Sequence, residues 1–285
     1  MTMTQRIQRA TSVNDAVTLL ARLGERGRPL AGGTWTMRAE RDAHGYVYVA
    51  LGGIAELSVL RRDGDTLRIG ALVTHTRLTE LPAEPATAAL AEAARRSAFP
   101  QVRNVATIAG NIAAVGFAEA DLVPALLACG ARVELASPTG THAIGLHEYL
   151  PQRGSRPAGE LITHVLVPAP PARRSGFARF TVRASGEYPI VNVAVAADVD
   201  AAGVVQSATI AVGSVEPVAK ICAVASESLA RQRLTDLDAL EEAGRIAARE
   251  CSPRDGLDAP AWYRTAILPA LIRKAGAQAA GKDRP

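Results

Sequence analysis

Two short turns carry the residues best placed for chemistry: Ala31-Gly32-Gly33-Thr34-Trp35, which follows Leu30, and Thr107-Ile108-Ala109-Gly110-Asn111. Each brings lightly covered backbone amides to a bend beside a hydroxyl residue. Successive amides of this kind approach phosphate oxygens closely and form anion-holding nests. Two of them can clamp a pyrophosphate from both sides. Taken singly, either turn reads more plainly as a sharp bend, because Gly-Gly turns are common punctuation. Neither matches G-x-G-x-x-G or G-x-x-x-x-G-K-[ST], so no Rossmann or Walker site is encoded.

Other chemistries find less support. His142, His147 and His164 offer no i, i+4 pair on a helix and sit among turn and strand signals, so no metal site is assigned. Ser155, Ser185 and Ser207 lack the G-x-S-x-G setting of a hydrolase nucleophile. Three cysteines, Cys129, Cys222 and Cys251, are an odd count without C-x-x-C spacing. They encode neither a disulfide framework nor a zinc or iron–sulfur cradle, and Cys129 reads as a buried spacer at the end of an apolar helix. The net charge of +4, from 32 basic and 28 acidic side chains without a Lys/Arg tract, argues against nucleic acid as a partner. The N-terminus carries no secretory pattern, and the longest apolar run, 122–131, is broken by Pro124 and is half the ~20 residues a membrane span needs. A cytoplasmic chain without a membrane span is expected.

The elements that must position these turns follow from local patterns. A chain of 285 residues has room for about two domains. Thr11-Ser12-Val13-Asn14-Asp15, then Ala16, Leu19, Leu20 and Leu23 before Gly24, predicts a capped amphipathic helix. With strands at 28–30 and 46–51 it gives a βαβ order up to about residue 55. Asp63-Gly64-Asp65 predicts a hairpin between 59–62 and 66–71. A helix is expected over 83–96 with its stop at Pro100, then a polar, glycine-bearing stretch over 103–116, a helix over 121–128, a strand over 132–136 and a turn over 137–140. Pro168-Ala169-Pro170-Pro171-Ala172 marks the domain boundary. Beyond it, strands over 176–183, 191–200 and 204–212, turns at 185–186 and 201–203, and helices from Val218, Leu237 and Trp262 predict an α+β layer whose open sheet is covered on one face. The helix from Trp262 to Ala275, with Arg264, Arg273 and Lys274, reads as a packed helix with a solvated face.

The order of motifs is more specific than its parts. Leu30-Ala31-Gly32-Gly33-Thr34, then 67–75 (LRIGALVTH), 100–104 (PQVRN), 107–112 (TIAGNI) and 120–127 (ADLVPALL) resemble the FAD-binding medium subunit of the molybdenum hydroxylase family. That family includes the flavoprotein subunits of aerobic carbon monoxide dehydrogenase and xanthine-dehydrogenase-like enzymes. The resemblance spans the chain, because 177–180 (FARF), 188–194 (YPIVNVA), 210–215 (IAVGSV) and Tyr263-Arg264 resemble the family's C-terminal domain.

The resemblance implies an α+β fold with a two-part FAD-binding domain of the PCMH/VAO-like kind at 1–172, its subdomains at about 1–55 and 56–172. A C-terminal α+β domain at 173–285 follows, its antiparallel sheet covered by helices. It implies that Leu30 to Trp35 and Thr107 to Asn111 hold the FAD pyrophosphate, with Thr34, Thr107 and Asn111 side chains adding hydrogen bonds. Asp121 matches the family's aspartate near the dinucleotide, where it bonds ribose or orders the loop; as a residue opening a helix it also reads as an N-cap. Ser97, Ile162 and Arg179 fall where relatives contact the cofactor, Arg179 in place of a common lysine, and Tyr188 falls against the isoalloxazine ring. Ala109 stands where the second turn usually has its first glycine, 113–120 carries one residue more than some relatives, and Trp35 is bulkier than usual.

The function implied is electron transfer within an oxidoreductase complex. FAD is bound non-covalently, since neither turn carries a His or Cys tether; molybdopterin and two [2Fe–2S] clusters belong to a large and a small partner subunit. A dimer of heterotrimers is implied, and the electron acceptor, whether NAD, oxygen, a quinone or a protein, stays open. Two further readings are a cofactor-free structural subunit of the same complex and a stand-alone flavin oxidoreductase.

Overall fold

A computed structural model describes residues 7–39, 45–183 and 187–282. The chain opens with β1 (Ile7–Arg9), α1 (Val13–Leu23), β2 (Gly27–Leu30), the short α2 (Thr36–Ala39) and β3 (Val47–Ala50). The three strands pair in the order β1-β3-β2, all parallel, as the βαβ pattern requires. Ser12 Oγ accepts from the Asp15 amide at 3.1 Å, and Gly24 ends the helix at φ +58°, so α1 has the cap and stop legible in its sequence.

Next come β4 (Leu60–Asp63), β5 (Thr66–Gly70), α3 (His75–Thr79), α4 (Ala88–Arg96), α5 (Pro100–Arg103), α6 (Ile108–Ala113), α7 (Leu122–Ala128), β6 (Arg132–Ser137), β7 (Gly140–Gly145), α8 (Leu146–Gln152) and β8 (Leu161–Pro168). The strands form an antiparallel sheet ordered β4-β5-β8-β6-β7. Gly64 makes the β4–β5 turn at φ +56°. The helix expected from residue 83 starts at Ala88, since Pro82 and Pro85 disfavour helix in the residues before them and withhold amides. It ends at Arg96, and Pro100 opens α5 instead of merely stopping α4, its missing amide costing nothing in a first turn. The polar stretch 103–116 contains α6, whose N-cap is Thr107.

The remainder forms β9 (Arg173–Phe180), β10 (Val191–Val199), β11 (Val205–Gly213), β12 (Lys220–Ile221), α9 (Ala223–Ser228), α10 (Leu237–Glu250), α11 (Ala261–Ala266) and α12 (Leu268–Ala279). Its antiparallel sheet runs β12-β11-β10-β9. The turn expected at Ser185-Gly186 lies outside the described residues, whereas that at 201–203 is present with Gly203 at φ +76°. Val218 is not helical: the chain first pairs as β12, and the helix begins at Ala223. The helix expected over 262–275 breaks at Ile267 and restarts with Pro269 in the first turn of α12, where a residue without an amide is tolerated.

The sheet is covered on both faces, not one. Ala178, Val191, Val193, Val195 and Val212 pack with residues of α9, α10 and α12. The opposite face, through Phe177, Ala194, Ala196 and Ala211, joins the core of the preceding part of the chain, where α4 and α7 lie on it. Burial on both faces explains the unbroken apolar run of β10. Polar contacts cross the same boundary: Ser175 Oγ accepts from the Ala89 amide at 3.0 Å, supplying α4 with the N-terminal cap that Thr87 does not. Among the described residues no helix is long and apolar enough to cross a membrane.

Candidate cofactor site

β2 delivers the first turn. Gly33 has φ +68°, a conformation that favours glycine, and a Cβ on Gly32 would stand 1.8 Å from the Val105 carbonyl oxygen. Gly32 thereby lets the first turn rest on the backbone just ahead of the second. Trp35 reinforces the contact: its Nε1 donates to the Val115 carbonyl at 3.2 Å and its ring stacks on Phe117 with centroids 4.5 Å apart. The amides of Ala31, Gly32, Gly33, Thr34 and Trp35 donate to no group among the described residues. Such a run of unused donors is the chemistry an anion needs.

The second turn is built differently. Ile108 donates to the Val73 carbonyl at 3.0 Å, Ala109 to Ala71 at 3.3 Å and Asn111 to Thr107 at 2.9 Å, while the Gly110 amide donates to Thr107 Oγ1 at 3.2 Å. Its amides are thus spent on fixing α6 against the strand and loop at 71–74. Ala109 lies within α6 and outside the positive-φ residues, so its methyl group is accommodated without strain. Asn111 Oδ1 accepts from the Leu122 amide at 3.2 Å, which ties the turn to the start of α7 and leaves the Asn111 amide nitrogen as a donor. Ile162 is buried on β8, the strand against which α6 packs.

Asp121 does not cap α7 with its side chain. Its carboxylate turns to the C-terminal part, where Asn192 Nδ2 donates to Oδ1 at 3.1 Å and Arg179 Nε lies 3.3 Å from the same oxygen. Arg179 also donates to the carbonyls of Arg96 and, at 2.5 Å, of Glu187. Burial pushes the Asp121 carboxyl up to about 6, against the opposing pull of Arg179 and Asn192, and the same desolvation lowers Arg179. Arg179 Nε and Asn192 Oδ1 remain without hydrogen-bond partners, so polar capacity is left at the junction of α7, β9 and β10.

Ser97 ends α4 with its hydroxyl donating to the Ala94 carbonyl at 2.9 Å. The hydroxyl proton being so used, His75 Nδ1 donates to Ser97 Oγ at 2.8 Å, and the buried Nε2 is left as an unpartnered acceptor. Burial lowers His75 to about 4, helped by the Arg103 charge and resisted by the Thr107 carbonyl, so the ring is neutral at neutral pH. Tyr188 is 46% exposed, accepts at its hydroxyl from Arg38 at 2.5 Å, and meets Phe117 edge-on at 5.4 Å. The turns, α7, Arg179 and Tyr188 therefore converge through Gly32 on Val105, Trp35 on Phe117, Phe117 on Tyr188, and Asp121 on Arg179.

Sequence patterns do not single out His75, Asn192, Arg38 and Phe117 as site residues. Asn192 carries a signal, being a polar residue inside an otherwise apolar strand. The others depend on contacts between segments distant in sequence. Among the described residues no His/Cys/Asp/Glu group could hold a metal.

Residues 2–170 match the FAD binding domain in molybdopterin dehydrogenase, and residues 177–279 the CO dehydrogenase flavoprotein C-terminal domain. The fold is thus that of a flavoprotein component of molybdopterin-dependent dehydrogenases. The chain belongs to the family of FAD-binding medium subunits of molybdenum hydroxylases, of the carbon monoxide and xanthine dehydrogenase type. It is 31% identical to the carbon monoxide dehydrogenase medium chain of Afipia carboxidovorans, over 94% of this chain and 93% of that one. It is 33% identical to the nicotine 6-hydroxylase medium subunit of Paenarthrobacter nicotinovorans, over 92% and 93% respectively. Its structure superposes on a chain of reconstituted CO dehydrogenase from Oligotropha carboxidovorans with TM-score 0.88 and 28% identity, covering 99% of this chain and all of that one. The free amides of the first turn and the orphaned polar atoms fit an FAD, whose phosphates and ribose hydroxyls would use them.

Proposed function

We propose that the chain is the electron-transfer subunit of a molybdenum hydroxylase complex, binding FAD non-covalently along the junction of an FAD-binding domain at 1–172 and a C-terminal domain at 173–285. FAD, when bound, supplies a carrier that exchanges electrons both singly and in pairs. In this reading a small partner subunit would carry the [2Fe–2S] clusters that supply the electrons, a large one the molybdopterin, and an external acceptor would take the electrons up. The assembly is a dimer of heterotrimers in the cytoplasm.

The residues of this chain bind and orient. Leu30 to Trp35 hold the pyrophosphate through the unused amides and the Thr34 hydroxyl, the observation that carries the reading. Thr107 to Asn111, already rigid within α6, form the opposing wall, with the Asn111 amide nitrogen available. Ser97, Ile162 and Arg179 line the remaining sides. Asp121, paired with Arg179, orders the α7 start in preference to facing a phosphate, which would repel it. Tyr188 covers the ring and limits water.

The test is the absorbance spectrum and released-cofactor analysis of the purified chain, alone and co-expressed with its partner subunits. Flavin bands that disappear when Gly33 and Gly110 are replaced by bulky residues, with folding retained, support the reading. A well-folded but colourless chain in the complex overturns it in favour of a scaffold.

A further inference from the structure

Cys222 and Cys251 lie 29 residues apart in the chain, yet their Sγ atoms stand 4.0 Å from each other. Cys222 follows β12 as the N-cap of α9 and is fully buried; Cys251 follows the last residue of α10 and is half-buried. Glu250 ties the two helix ends together. Its carboxylate accepts from the Ala225 amide at 2.7 Å and from the Val224 amide at 3.2 Å, and its carbonyl accepts from Lys220 Nζ at 2.7 Å. Lys220 in turn pairs with Glu216 at 3.3 Å. The two cysteines are thus brought together by a clamp of the Glu250 and Lys220 side chains on the backbone, which owes nothing to the sulfurs themselves.

We propose that Cys222 and Cys251 are a reversible thiol–disulfide pair, in which Cys251 reacts first with a low-molecular-weight disulfide and Cys222 resolves the adduct. Cys251 is the less buried of the two residues, and its thiolate is favoured by the contact with the Cys222 thiol and by the Lys220 charge, against burial and the Glu216 and Glu250 carboxylates. The Cys222 thiol is pushed up by the same pairing and by burial, so it is the poorer nucleophile until Cys251 itself carries a mixed disulfide within its reach. With glutathione disulfide as oxidant, the Cys251 thiolate attacks one sulfur, a Cys251–glutathione bond forms, and the first glutathione leaves as thiolate. Cys222 then gives up its proton and attacks Cys251 Sγ, expelling the second glutathione. Two protein thiols are oxidised, one external disulfide is reduced, and the two thiol protons pass to the two released thiolates. Bond formation needs the sulfurs to close to about 2 Å. Cys129 takes no part: it is fully buried, donates to the Ala86 carbonyl at 3.7 Å, and burial raises its thiol to about 11.

The experiment exposes the purified full-length chain to glutathione disulfide, quenches with acid, and maps peptides after alkylation in denaturant. The expected map shows Cys222 joined to Cys251, Cys129 alkylated, and an intact mass lower by two hydrogens, all reversed by dithiothreitol. Cys222→Ser stops with one glutathione on Cys251, and Cys251→Ser takes up none while folded. Three alkylatable cysteines in the treated wild-type chain would overturn the proposal. So would modification centred on Cys129, or Cys222 reacting as readily in Cys251→Ser.

Discussion

Arg179 Nε lies 3.3 Å from Asp121 Oδ1 where the C-terminal sheet meets the start of α7, each side chain only 6% exposed. The contact is ionic and lacks hydrogen-bond alignment at Nε, whose partner capacity stays unused. Desolvation dominates both groups, raising Asp121 and lowering Arg179, so the pair is held by its surroundings more than by its own attraction. Arg179→Met strips the carboxylate of its counter-ion. It should lower unfolding stability by about 3–5 kcal/mol, the usual cost of breaking a buried pair from one side. Urea unfolding checks it, and a loss below about 1 kcal/mol, the scale of an exposed pair, would show the contact to be idle.

Asp121 and His75 titrate in opposite senses across overlapping pH windows. Asp121 is raised to about 6, so the native state holds a proton that the unfolded chain has released; its contribution is present below its ordinary carboxylate range and is lost as pH rises through about 6. His75 is lowered to about 4, so its contribution is present above its ordinary imidazole range and is lost as pH falls towards about 4. Between the two the slopes cancel. Asp121→Asn leaves the His75 slope, and stability should then rise with pH at up to about 1.4 kcal/mol per unit over that window. Unfolding midpoints in a pH series decide it: a slope unchanged from wild type would count against the assignment.

The two glycines of the first turn should fail in different ways. Gly32→Ala places a methyl group against the Val105 carbonyl, which only a backbone shift relieves, so the turns separate and bound flavin per chain should fall several-fold. Gly33→Ala meets nothing closer than 3.4 Å, so its cost is conformational, about 1–2 kcal/mol for an L-residue at positive φ. Flavin-to-protein absorbance ratios and melting curves separate the outcomes. Equal flavin loss in both would mean that the contact with Val105 is immaterial.

Tyr188→Phe removes only the hydroxyl that accepts from Arg38, an exposed contact, and should change stability by less than about 1 kcal/mol. Tyr188→Ala also removes the ring beside Phe117. If this ring shields the flavin, iodide quenching of flavin fluorescence should increase in Tyr188→Ala and stay near wild type in Tyr188→Phe. The same quenching in all three proteins would place the tyrosine elsewhere.

What the sequence made legible was local. The cap and stop of α1, the β4–β5 hairpin and the glycine-bearing turns each carry their own chemistry within a few residues. β8 escapes a linear reading because this central strand, ending in Pro168, has no turn signal like Asp63-Gly64 to announce it. The proximity of Cys222 to Cys251 escapes it because no spacing rule links a residue beside β12 to one ending α10. Beyond its place in the Tyr263-Arg264 motif, Arg264 reads in the sequence as one of the charges of a packed helix with a solvated face. It is fully buried, with Nη1 donating to the Ile190 carbonyl at 2.6 Å and to Ser214 at 3.2 Å, and Nη2 paired with Asp258 at 2.7 Å. A buried guanidinium answers to carbonyls supplied by other segments, which a linear pattern cannot display.

The sheet β9–β12 takes one of its two covers from helices made earlier in the chain. α4 and α7 are therefore synthesised before the apolar strands β9 to β11 that pack on them. Ser175, near the start of β9, accepts from the Ala89 amide of α4, a contact that needs none of the helices made later. Expressed alone, residues 173–285 would lack that template and present Phe177, Ala194, Ala196 and Ala211 to solvent.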